Sequence, residues 1–137
     1  MGWPRRMALA AAVVTGAVLA FAVVLAARAP VAGTFVVLAL GLGVAPASAV
    51  LGVIITRRRP DNLVGLLLTL VGLTVALNVF RDIGWWYLAE RQPQRLATLD
   101  WLAALTDQSA AWIYVTVALL LLYFPDGRVP GPRWRWI

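Results

Sequence analysis

Residues 7–27 form an apolar run of 21 residues without one charged side chain. At about 1.5 Å per residue, a helix of that length crosses the ~30 Å hydrocarbon core of a bilayer. Residues 31–56, 63–80 and 109–124 are three more runs free of charge. Backbone polar groups in lipid must be satisfied within their own segment, so runs of this length read as helices. The predicted fold is an all-α integral membrane protein with about four transmembrane helices. All of residues 1–137 then form a single membrane domain.

Composition agrees with this reading and excludes others. Hydrophobic residues make up 62% of the chain and charged residues 13%, with a mean hydropathy of +0.84. A soluble domain carries roughly 25% charged residues. The net charge of +6 could suggest nucleic acid as a partner. However, the arginines flank apolar runs and form no hydrophilic face, so the chain is read as binding a bilayer and no nucleic acid.

The basic residues, all arginine, set the orientation. With the amino terminus inside, Arg5, Arg6, Arg57, Arg58, Arg59, Arg128, Arg133 and Arg135 are cytoplasmic. Arg28, Arg81, Arg91 and Arg95 are outside. Eight against four obeys the positive-inside rule and puts both termini in the cytoplasm. Arg57-Arg58-Arg59 is the strongest marker, since burying one arginine at a helix centre costs roughly 2.5–3.5 kcal/mol on insertion scales. A cleaved signal peptide is a rival reading of the first run. Its length exceeds the usual ~7–15-residue hydrophobic region, and Pro30 would follow the scissile bond, so an uncleaved first span is expected. Localisation to the cell membrane, multi-pass, follows.

Several features refine the picture. Gly41, Ala45 and Ala49 form a small-residue row at i, i+4, i+8, with Ser48 and Gly52 beside it, and such rows let membrane helices approach closely. Pro46 removes a backbone hydrogen bond from the same run and should kink or locally unwind it. A signalling hinge is one use for this stretch, and ordinary helix packing is the preferred one. Asp61 or Asn62 can cap the third helix. Asn78 lies near the outer end of that span, where it can serve as structural glue. Residues 81–108 are expected to form a polar outer loop. Trp85, Trp86 and Tyr87 form an aromatic belt, and Leu96, Leu99, Leu102 and Leu105 make an amphipathic stripe lying in the interface plane. The loop is the place for any ligand from outside, but an interfacial helix that merely connects two spans is the preferred reading. Residues 125–137 form a basic cytoplasmic tail.

No catalytic, cofactor-binding or metal-binding residue is identified. The chain has no His and no Cys, which rules out histidine-based triads, cysteine nucleophiles and thiolate or imidazole metal sites within it. The six carboxylates lie outside the apolar runs, and no phosphate-binding glycine loop is present.

One segment resembles a known family. Phe124-Pro125-Asp126-Gly127-Arg128-Val129-Pro130, followed by Arg133-Trp134-Arg135, is similar to a phrase found just after a transmembrane helix in many actinobacterial two-component sensor histidine kinases. Upstream, Asn62, Gly65, Leu67, Leu68 and Gly72 match a looser pattern of the same membrane regions, in which Leu63 and Leu66 replace a common Pro and Trp. The resemblance covers roughly residues 57–136. It implies an amino-terminal fragment of a longer protein, which anchors that protein and is a candidate for signal sensing. The phosphoacceptor His, the ATP and Mg sites and the contact with a response regulator would lie in a further kinase domain. Homodimerisation is likewise implied only by the family. The motif residues are read as turn and topology devices, Asp126 included. The alternative is a complete small integral membrane protein, an accessory, scaffold or transporter subunit without enzymatic activity.

Overall fold

The computed structural model describes residues 3–28, 33–60, 62–99, 101, 104 and 109–124. Among these the chain is all helical. Helix α1 spans Trp3–Arg28, α2 Thr34–Arg58, α3 Leu63–Arg91, α4 Pro93–Thr98 and α5 Ser109–Tyr123. The first three are long and apolar enough to cross a membrane, with mean hydropathies of 2.6, 2.2 and 2.3 over their most apolar windows. Helix α5 has only 15 residues, about 22 Å, which is short of the ~30 Å hydrocarbon core. It is apolar throughout but does not reach spanning length by itself.

The boundaries follow local chemistry. Helix α1 starts before the first apolar run, with Pro4 in its first turn, where a missing N–H costs nothing. Gly33 precedes α2 at φ 96°, a left-handed conformation that favours glycine, and its carbonyl accepts from the N–H groups of Val36 and Val37. At the start of α3, the Asn62 side chain accepts from the Val64 N–H at 2.8 Å. That satisfies one of the orphan donors of the first turn. The capping expectation therefore holds for Asn62, while Asp61 lies outside the described residues. Pro46 lies inside α2 without ending it.

Helix α3 departs from the expected end at Phe80. It continues through the polar stretch as one helix to Arg91, about 43 Å in all. The cause is a buried stripe, Ala76, Val79 and Ile83, whose helical spacing carries past Arg81 and Asp82. Those two charges neutralise each other, with Arg81 Nη2 2.7 Å from Asp82 Oδ1. The break comes at Gln92, because Pro93 disfavours the α conformation in the residue before it. Gln92 has φ −143° and ψ 58°. Trp85, Trp86 and Tyr87 consequently stand on α3 and not in a loop. The short α4 begins the expected amphipathic stretch. Leu99 is half-buried, and the Leu96 side chain and residues Leu102, Ala103 and Leu105 lie outside what the structure describes.

Helix α3 is the central element, touching α1, α2, α4 and α5. A guanidinium nitrogen of Arg91 donates to the Arg28 carbonyl at 2.7 Å, joining the ends of α1 and α3, so these helices run parallel. Phe21 and Phe80 meet a few turns below, ring centroids 5.7 Å apart. Helix α2 runs antiparallel between the same two ends, with Gly41 against Val79 and Gly52 against Gly65.

The side-chain distribution is that of a lipid-facing bundle. Buried positions are mostly small: Ala8, Ala22, Ala26, Ala45, Ala49 and Ala76, with Thr15, Thr56 and Thr69. Large apolar residues such as Phe21, Phe35, Leu40, Val50 and Leu51 are exposed. In water such a surface would be an aggregation hazard. In lipid it is the expected arrangement, because association there depends on close packing and not on apolar burial.

Candidate functional site

The most closely built region is the seam between α2 and α3. On α2 the buried positions along this seam include Gly41, Ala45, Ala49, Gly52 and Thr56. On α3 they include Gly65, Thr69, Gly72, Ala76 and Val79, at intervals of four, three, four and three residues. A Cβ placed on Gly52 would lie 2.5 Å from the Gly65 carbonyl oxygen and 2.6 Å from the Thr69 nitrogen. On Gly72 it would lie 2.6 Å from the Ala45 carbonyl oxygen. These distances run to backbone atoms of the facing helix, which no side-chain movement can relieve. Thr56 and Thr69 each turn their hydroxyl back to the carbonyl four residues earlier, at 2.8 and 2.9 Å. Each buried hydroxyl is thereby satisfied within its own helix.

The small row read from α2 is thus a packing face. Gly52 joins its main line, with Ala49, while Ser48 is half-buried at its side. The partner row on α3 was missed because it alternates intervals of four and three and takes in Val79, which is not small. Its seven-residue rhythm was the available signal. Gly65 and Gly72, noted above for a family pattern, have a structural task here, and so does the capping Asn62.

At the opposite end of α3, Arg91, Gln92, Pro93, Gln94 and Arg95 line an open cleft of about 340 Å³. A shallow apolar groove of about 300 Å³ lies between α1 and α3, lined by Ala17, Val18, Phe21, Leu77 and Phe80. Asn78 donates to the Thr74 carbonyl at 2.9 Å, a bond within its own helix. Among the described residues no three His, Cys, Asp or Glu side chains converge as metal ligands. Arg81 and Asp82 are the one ion pair among them, and the described hydroxyls of α1, α3 and α5 mostly bond to their own helix, as Thr15 and Thr116 do. Nothing in this set couples a nucleophile to a base.

Of the motif following the fourth apolar run, Phe124 is exposed just beyond α5. Pro125, Asp126, Gly127, Arg128, Pro130, Arg133, Trp134 and Arg135 lie outside the described residues. In comparisons with known proteins, no family model matches the chain, and neither a curated protein nor a solved structure matches it.

Proposed function

We propose that this chain is the membrane-anchoring portion of a bacterial two-component sensor histidine kinase, with its Arg91 end as the place for any signal from outside. The observation that carries the reading is the Phe124-Pro125-Asp126-Gly127-Arg128 segment with Arg133-Trp134-Arg135, standing directly after the apolar helix α5. Support for an anchoring role comes from the three long apolar helices and the backbone-tight α2–α3 seam. On this reading α5 is a fourth span, extended by a locally thin bilayer or by flanking residues. Both termini are cytoplasmic, by the arginine count. The phosphoacceptor His, the ATP and Mg sites, the dimerising helix and the response-regulator contact belong to domains beyond residue 137. This chain contributes the anchor and the packing that holds its helices in register.

The test is to read the genomic frame beyond codon 137 and assay the encoded protein for autophosphorylation. The expected result is a further helix bearing a histidine, followed by an ATP-binding domain, with label from ATP lost when that histidine is replaced. A frame that encodes no such domain overturns the kinase reading and leaves the membrane reading intact.

A further inference from the structure

We propose that the Arg58 end of the bundle is a binding surface for anionic phospholipid headgroups, with Arg5 as its seated cation. The inference depends on the membrane reading of α1, α2 and α3 and not on the kinase reading. Because α2 runs antiparallel to α1 and α3, the start of α1, the end of α2 and the start of α3 meet at one end. Arg5, Arg6, Arg57, Arg58 and Arg59 are gathered there. Asp61 is the one carboxylate of the sequence in the adjoining connection. The ion pair among the described residues, Arg81–Asp82, lies on the far half of α3.

Helix dipoles add to this field. Helices α1 and α3 both present their amino termini at this end, and neither has an acidic residue in its first turn. Each terminus is equivalent to roughly half a positive charge. The carboxyl end of α2 has the opposite sign, and Arg57 and Arg58 already occupy its last turn.

Arg5 differs from its neighbours. Arg57, Arg58 and Arg59 are exposed, as arginines at a membrane surface usually are. Arg5 is half-buried beside the buried Pro4, and its Nε is buried without a hydrogen-bond partner among the described residues. A buried charged donor left unpaired is costly. Part of the Arg5 side chain stays exposed, and there a lipid phosphate supplies acceptor oxygens for the guanidinium. The exposed arginines around it supply the remaining charge complementarity for an anionic headgroup.

The experiment titrates the full chain in detergent micelles with phosphatidylglycerol, or with phosphatidylcholine of the same acyl composition. Bound lipid is read by native mass spectrometry. Phosphatidylglycerol should bind at least about tenfold more tightly, and Arg5→Gln should reduce that preference about fivefold, the scale of one arginine at a membrane surface. Replacing the exposed Arg57, Arg58 and Arg59 together by Gln gives a second reading that does not disturb a buried site, and should reduce it further. Arg95→Gln removes the same charge at the opposite end and should leave the preference unchanged. Equal binding of the two lipids overturns the proposal, as does a loss in Arg95→Gln matching that in Arg5→Gln. Displacement of the lipid by inorganic pyrophosphate at matched ionic strength would assign the surface to a free phosphate and also overturn it.

Discussion

At the scale of single residues, the glycines separate into two kinds that composition cannot distinguish. A Cβ on Gly52 would collide with the backbone of α3, whereas one on Gly43 would meet nothing within 4 Å. Gly52→Ala should therefore destabilise the bundle by about 1–3 kcal/mol, the usual range for overpacking. Gly43→Ala should be neutral or stabilising by up to ~1 kcal/mol through helix propensity. Thermal unfolding of both variants in the same detergent compares them, and equal effects would contradict the seam. Asn62→Ala removes the acceptor for the Val64 N–H and should cost about 1 kcal/mol, whereas Asn62→Asp, which keeps an acceptor, should cost less. The same unfolding series reads that difference. Residue-scale chemistry was legible where one side chain decides it, as with the cap. It was less legible where a glycine's role depends on which helix faces it.

At the scale of elements, the apolar runs gave the helices, and the charges misplaced one boundary. Arg81 and Asp82 look like the start of a loop because each is costly in lipid alone. As a pair on a helix they are tolerable, and Ile83 behind them is almost fully buried. Pro93, a stronger breaker than either charge, sets the actual end. The connection of Ile83 to the core can be tested directly. Ile83→Ala should cost roughly 2 kcal/mol or more, as buried large-to-small changes do, whereas Leu77→Ala on the exposed face of the same helix should change little. If the two cost the same in an unfolding titration, α3 does not hold the central position described. The inter-helix contact of Arg91 with the Arg28 carbonyl spans 63 positions in sequence, and no local pattern announces such a pairing.

At the scale of the whole molecule, the bundle has small residues inside and large apolar residues outside, and three of its helices can cross a bilayer. The motif that suggests a kinase was legible as a turn between an apolar run and a basic tail. Its residues from Pro125 onward lie outside what the structure describes, so their role depends on the chain's disposition across the membrane. That disposition is directly measurable, because the chain has no cysteine and single cysteines can be introduced without background. Gln94→Cys, Arg58→Cys and Arg133→Cys should each be challenged in intact cells with a membrane-impermeant maleimide, before and after permeabilisation. Gln94→Cys should be labelled in intact cells, while Arg58→Cys and Arg133→Cys should react only after permeabilisation. Labelling of Gln94→Cys and Arg58→Cys from the same side would contradict a membrane-crossing α3, and with it the membrane anchor on which the functional proposal stands.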